Sequence, residues 1–488
     1  MNADSMKTVF ISVPYGISAR NILRCAALKM LSREHRVVIL SALSLDPEFV
    51  KEFQGPNILF RDLPNKLPFA FRALRKFLDI AEGYYFTGKS GIRTLQILKE
   101  SLRHDLPGSF QRRRIIGFLL GWEPLLSWLR QWQPALVRCD YYDRLFEEFK
   151  PSMVFLTHTT ALEEFPVAFY GRRLGIKVTA MLHSWDVINT KTGLRGAVSP
   201  LPGRLLPLHF DKLLIWNEIQ HKELTDFLGY KDAEIEIVGI PQFDVYAGGR
   251  WTPRSEFIKR YGGNPDKKTI AYLAGNPNML PKQIEVVEHL VQWLKEGRYS
   301  SPAQLLLRLH PGLDTNYLLR YRGHPDVLID EPSIAFTAGR FSSGWKAGED
   351  DERHLAEVLA NCDVALNVLS TSTLDAAAFD RPVVSIAYDG NTPMPYYRSI
   401  ARYYDWNHYQ NLMRTNGLRV ARSHEELLKH INGYLANPGL DAAGRKEIIR
   451  SHCFKNDGKA GERIGEALLK ELETAAPSKQ FFGQKVLN

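Results

Sequence analysis

Cysteine is scarce: the 488 residues contain only Cys25, Cys139, Cys362 and Cys453, widely separated and with no close Cys or His partner at metal-ligand spacing. That excludes a disulfide-stapled scaffold and a zinc site of paired Cys and His, and assigns the four thiols to a reduced interior. Long hydrophobic runs are missing too. The longest candidates, such as residues 115–120, fall far short of the roughly 18 to 20 apolar residues that a membrane-spanning helix requires. The opening, MNADSMKTVFISV, lacks the charged-then-apolar layout of a secretory signal, so a cytoplasmic location is expected. No low-complexity tract is visible. No Asp-x-Asp stands at a strand end, and the acidic run 349–352 reads as a solvated helix start, so catalysis without a metal or other cofactor is expected.

What is there is an ordinary globular composition, 44% hydrophobic and 24% charged, in a chain long enough for about two to four domains. The net charge of +9 is unevenly spread. Residues 65–130 hold twelve Lys and Arg against five Asp and Glu, a surplus of seven that leaves about two for the rest of the chain. This stretch contains LPFAFRALRKFLDIAEGYYF and RRRIIGFLLGWEPLLSWLRQW, with Phe, Trp, Leu and Arg at helical spacing. One reading is amphipathic helices packing on their own domain. The other is an interfacial surface for an anionic membrane, which places the protein peripherally on the inner face of the cytoplasmic membrane. No nucleic-acid motif accompanies the charge, so nucleic acid is not expected as a partner.

Strand-like runs at 8–13, 35–42, 153–157, 178–182, 212–216 and 235–238 alternate with helical stretches, which points to a parallel α/β domain over 1–243. The basic helical insertion occupies 65–132. Two Gly-Gly pairs and two prolines mark 244–266 as a linker. A second α/β series follows over 267–455, with strands in KTIAYLAG, AQLLLRLHPG, DVLIDEP, DVALNVLS and PVVSIAY. The fold class expected is α/β, two doubly wound Rossmann-like domains facing a central cleft, with ligands at the carboxyl ends of the strands.

In DVALNVLSTSTLDAAAFDRPVVSI, a buried strand runs into four hydroxyls, Ser370, Thr371, Ser372 and Thr373, where a helix begins. The bland reading is an N-cap. Four in a row exceed one cap, and a helix start offers free N–H groups and positive partial charge to a phosphate. Asp375 in the first turn could simply answer the helix dipole, or accept hydrogen bonds from ribose hydroxyls. Arg308 and His310 in RLHPG, and Gly275 and Asn276 in AGNPN, end neighbouring strands and are the other candidates for donor phosphates.

As a set, STSTLDAAAFDRPVV, RLHPG, IEIVGIPQFD at 235–244 and DGKAGERIGEAL at 457–468, with HSWDVINTKTG at 183–193 and LLIWNEIQHKEL at 213–224, resemble bacterial GT-B glycosyltransferases that build cell-surface polysaccharides, including the capsule and CDP-glycerol polyol-phosphate branch. The resemblance implies donor phosphates at 370–373, ribose at Asp375, and a final helix at 456–474 returning to the first domain before a tail at 475–488. One departure is visible: the family often has glycine before the P-V-V strand, where this chain has Asp380 and Arg381.

In the first domain, His183, Asp186 and Lys191 offer a base, an acid and a cation close together after a strand. Asp186 is the expected base, or His183 if geometry favours it. Glu163 and Glu164 are in reserve, with Arg20, Lys191 and Glu163 on the acceptor side. The function expected is transfer of a sugar from a nucleotide-sugar donor to a lipid-linked or growing surface glycan, lipopolysaccharide O-antigen or capsule. The alternatives are a polyol-phosphate transferase, a non-hydrolysing sugar-nucleotide epimerase and a non-catalytic assembly subunit.

Overall fold

A computed structural model describes residues 6–64, 67–89, 91–191, 209–310, 314–331 and 350–475. The chain divides into two compact units: Met1–Gln242 with Lys459–Asn488, and Phe243–Gly458.

The first unit is built on a seven-stranded parallel sheet of order β3-β2-β1-β4-β5-β6-β7. Its strands are β1 (Thr8–Ser12), β2 (Arg36–Leu40), β3 (Ile58–Arg61), β4 (Met153–Leu156), β5 (Lys177–Met181), β6 (Lys212–Ile215) and β7 (Ile235–Ile237). β1 and β4 are buried throughout, as parallel strands covered on both faces by crossover helices must be. The chain moves outward from β1 to β3, then returns to the other side of β1 and moves outward again from β4 to β7. The order therefore reverses between β1 and β4.

Between β3 and β4 stand the helices Phe69–Lys89, Arg93–Asp105, Pro107–Leu120, Glu123–Leu136 and Asp140–Phe149. The predicted basic insertion is thus a helical subdomain. It has its own small core of Leu78, Ala81 and Leu126, and Gly117 lets the third helix approach the first so closely that a Cβ there would lie 2.4 Å from Tyr84. Arg75 crosses this core. It donates to Asp79 at 2.7 Å, Glu82 at 2.6 Å and Gln133 at 3.2 Å, and Arg130 donates to the other Glu82 oxygen at 2.6 Å.

The last helix, Ala460–Glu473, belongs to the first unit. It lies against the helix Ala26–Glu34, where Gly465 faces Met30 at a distance that leaves no room for a side chain. Lys177 with Glu471 at 2.6 Å and Arg463 with the Val238 carbonyl at 2.8 Å tie it to the sheet.

The second unit holds a six-stranded parallel sheet of order β10-β9-β8-β11-β12-β13. The strands are β8 (Lys268–Leu273), β9 (Ala303–Arg308), β10 (Val327–Asp330), β11 (Val364–Asn367), β12 (Val383–Ile386) and β13 (Arg419–Ala421). Here the order reverses between β8 and β11. The stretch 244–266, expected as a linker, is instead part of this unit. Arg254 donates to the Asn361 carbonyl at 2.5 Å and to Asp363 at 2.8 Å, and Tyr246, tilted, and Trp251, edge-on, pack against Phe379, so specific contacts hold a segment that composition alone marks as loose.

Among the described residues no helix is long and apolar enough to cross a membrane.

Candidate active site

In open parallel sheets the crevice outside the strand ends, where the strand order reverses, is the place a ligand can enter between loops that diverge to opposite faces. Each unit has one such point, and the predicted residues divide between them.

In the first unit the loops after β1 and β4, joined by the loop after β5, bring together Tyr15, His158, Glu163, Glu164, His183 and Asp186. The His158 and His183 rings are stacked, 3.5 Å between centroids and 11° from parallel. Tyr15 meets His158 edge-on at 4.9 Å and donates its hydroxyl to Glu163 at 3.0 Å. His183 Nδ1 lies 2.6 Å from the His158 carbonyl oxygen. A carbonyl only accepts, so Nδ1 carries the hydrogen and Nε2 is the basic nitrogen of the neutral ring. Asp186 is differently placed: its carboxylate accepts from Ser184 Oγ at 2.5 Å and Thr190 Oγ1 at 2.7 Å, bonds that hold the turn at Val187–Lys191. Arg20 donates to its neighbour Asn21 at 3.1 Å, and the Lys191 side chain lies outside the described part of the structure.

Two buried carboxyls underlie this cluster. Glu164 is fully buried and accepts from Ser12 Oγ at 2.6 Å and the Thr157 amide at 2.9 Å; burial pushes its pKa up to about 8. Beneath the Asp186 turn, Glu223 accepts from Asn189 at 2.6 Å, and burial raises it to about 7. The stretch THTTALEE thus forms a tight loop, with Thr159 in the left-handed region at φ 59°, anchored from below by Glu164.

In the second unit the loops after β8 and β11 carry Gly275, Asn276 and the hydroxyl run. The helix begins at Ser372 and runs to Ala378, with Thr371 as a half-buried first residue whose side chain caps no amide. Ser370 Oγ accepts from the Ser372 amide at 3.2 Å. Ser372 and Thr373 hydroxyls both accept from Asn367 Nδ2, at 3.1 and 2.9 Å, and Asn367 Oδ1 accepts from Ser385 at 2.9 Å. The run is therefore largely the wiring of a sharp strand-to-helix turn, in which Leu369 has φ 43°.

A family model described as CDP-Glycerol:Poly(glycerophosphate) glycerophosphotransferase matches residues 205–470, over half of the chain. The chain belongs to this family. The match spans the whole second unit. Among curated proteins, the UDP-N,N'-diacetylbacillosamine 2-epimerase (hydrolyzing) of Legionella pneumophila is 24% identical over 249 residues, which are 49% of this chain and 53% of that protein. The chain thus spans about half the length of this curated relative. Two solved structures show the fold. S. aureus MnaA with UDP has a TM-score of 0.55 at 12% identity, over 98% of this chain and 100% of that one. A variant of the wall teichoic acid polymerase TagF soaked with CDPG has a TM-score of 0.50 at 13% identity, over 97% and 90%. The α/β architecture is that of the GT-B fold, as the sequence reading expected.

For this glycerophosphotransferase-family chain several predicted donor residues stand elsewhere than expected. Thr373 is fully buried, and its hydroxyl accepts from Asn367. Asp375, expected at ribose, lies on the buried side of its helix and accepts from Tyr246 at 2.7 Å. Arg308, expected at phosphate, is buried and donates to Asp330 at 2.5 Å; this guanidinium and His354 hold Asp330 down to about 2 against the opposing effect of burial. Gly275 approaches Val368 rather than open space, and both its amide and its carbonyl are bonded to Gln283. Asn276 accepts from the Asn278 amide and shapes its own loop. His310 follows β9 half-buried, its pKa lowered by burial and by Arg308, next to residues 311–313 outside the described part. Ser370 and Thr371 remain at the β8–β11 reversal with access to solvent. Sequence reasoning missed His158, Tyr15 and Asn367. His158 alone had a signal, a polar residue directly after an apolar strand.

Proposed function

We propose that this protein transfers a polyol phosphate from a nucleotide-activated donor to a hydroxyl of a growing bacterial cell-surface polymer presented at an anionic membrane. The observation that carries the reading is the family match across the entire second unit, whose strand-order reversal bears the solvent-accessible hydroxyls of Ser370 and Thr371. His183 Nε2 takes the proton of the acceptor hydroxyl; the oxygen attacks the donor phosphorus, and a nucleoside monophosphate leaves. No metal is required by this scheme, so activity is expected to survive a chelator.

Sugar transfer is the second reading, supported by the UDP carried by the similarly folded MnaA. There the same hydroxyl attacks the anomeric carbon and a nucleoside diphosphate leaves. The product separates them. With CDP-glycerol and a polymer primer, phosphorus NMR is expected to show a new phosphodiester and free CMP, lost in His183→Asn. A glycosidic product with a UDP-sugar and none with CDP-glycerol would establish the second reading, and epimerised nucleotide sugar without acceptor would overturn both.

A further inference from the structure

In residues 157–160, directly after β4, the three threonines are buried and the one histidine is not. Thr157, Thr159 and Thr160 point into the first unit, whereas the His158 ring is half-buried at the reversal of strand order. The turn is strained. Thr159 is β-branched and has φ 59°, a conformation that such a residue keeps only where its surroundings impose it. The result is that one carbonyl is aimed out of the turn. The His158 oxygen accepts from the Thr160 amide at 2.7 Å and from Thr159 Oγ1 at 2.6 Å, both within the turn, and from His183 Nδ1 at 2.6 Å in the loop after β5.

Glu164 holds this turn from the inside. Its Oε1 accepts from Ser12 Oγ at the end of β1 and from the Thr157 amide just past β4, and Thr157 Oγ1 donates back to the Ser12 carbonyl at 2.7 Å. The amides of His158 and Thr159 also favour its charged form, so one fully buried carboxyl faces the backbone on both sides of the aimed carbonyl. The His158 ring meanwhile lies face to face on the His183 ring. The imidazole of His183 is thus fixed twice: the carbonyl selects the nitrogen that carries the hydrogen, and the stack sets the plane of the ring.

We propose that Glu164 is a positioning residue: through the backbone of residues 157–159 it keeps the His158 carbonyl on Nδ1 of His183, and so keeps Nε2 of that ring basic. This role rests on His183 being the base of the proposed transfer. With the carbonyl displaced, the neutral ring is free to carry its hydrogen on Nε2 instead, and a nitrogen that already carries a hydrogen takes no proton from an acceptor hydroxyl. A carboxyl that only stitched β1 to β4 would leave the tautomer as it is.

Ring-nitrogen NMR of the full chain, grown on isotope-labelled histidine, reads the tautomer without donor or acceptor, so its outcome stands even if the chain transfers no polyol phosphate. The His183 signals are those lost in His183→Asn. At about pH 7.5, where an ordinary imidazole is mostly neutral, wild type is expected to show a protonated Nδ1 and a bare Nε2. Glu164→Met, similar in length but without an acceptor, is expected to show both tautomers. Glu164→Gln keeps an acceptor for Ser12 and Thr157 and is expected to restore the wild-type pattern. In a transfer assay, kcat of Glu164→Met should fall by about a hundredfold with KM within about twofold of wild type. Ser12→Ala, which removes one of the two bonds to the carboxyl, takes the place of Glu164→Met if that variant does not fold, and should shift the pattern the same way. A wild-type tautomer in the folded variant, or a Gln variant that behaves like the Met one, would overturn the proposal.

Discussion

Asp380, two residues before Pro382, has φ 51°, in the left-handed region that glycine enters freely and Asp tolerates better than most residues. Its carboxylate accepts from Arg445 at 2.7 Å, a guanidinium whose side chain is almost fully buried. Asp380→Ala removes the pair and keeps the strain; Asp380→Gly removes the pair and the strain together. Both are expected to destabilise, the glycine variant by about 1 kcal/mol less in urea melts. Equal losses would show that the backbone there is not strained. A second residue-scale consequence concerns pH. Glu164 ionises in the unfolded chain near its ordinary value, but near 8 in the fold, so the native state holds the proton more tightly. Its contribution is full below the unfolded value and falls as pH rises to about 8, by on the order of 4 kcal/mol. Glu164→Gln keeps an acceptor for Ser12 and Thr157 but cannot ionise, so its stability is expected to lose that slope between pH 5 and 8. An unchanged slope would place the titration elsewhere.

At the scale of elements, the interior strands were legible because each is a short, mostly apolar run bounded by turn residues, as at β1, β4, β9 and β11. The two strands that escaped sequence reading, β3 and β13, lie at sheet edges; β3 is only partly buried along its length and β13 has three residues, so neither leaves the apolar run that burial on two faces imposes. Site residues were legible as positions at strand ends but not as directions. Asp375 and Ser370 lie within two turns of the same start, yet one faces Tyr246 inside and the other remains accessible, because the rotation of the helix on its sheet is a tertiary outcome. The His158–His183 stack was beyond reach for the same reason: two residues 25 apart meet only because β4 and β5 are adjacent. The final helix makes its own test. Gly465 permits its contact with Met30 and Ala27, so Gly465→Leu is expected to destabilise the first unit by roughly 1–3 kcal/mol, read as a lower urea midpoint. No change would mean that the helix can shift without loss.

For the whole molecule, two parallel sheets of the same winding, each with one reversal of strand order, give one chain two places suited to polar chemistry. The first unit has the titratable cluster, and the second has the accessible hydroxyls of Ser370 and Thr371 at a strand end. The Arg308–Asp330–His354 group, by contrast, is structural. The motifs that pointed to the family also build its turns: Arg308 donates to Asp330 and Asp375 accepts from Tyr246. On the proposed function, the second unit holds a nucleotide at the β8–β11 reversal. Thermal shifts with CMP, CDP, UMP, UDP, GDP and ADP on wild type and Thr371→Glu test it most directly. An acid at a helix start is favourable for the empty protein but repels phosphate, so the variant should melt at or slightly above wild type. One nucleotide at about a hundred times its dissociation constant should stabilise wild type by roughly 2.7 kcal/mol and leave the variant unmoved. A shift equally large in Thr371→Glu, or none in wild type with any nucleotide, would contradict the account.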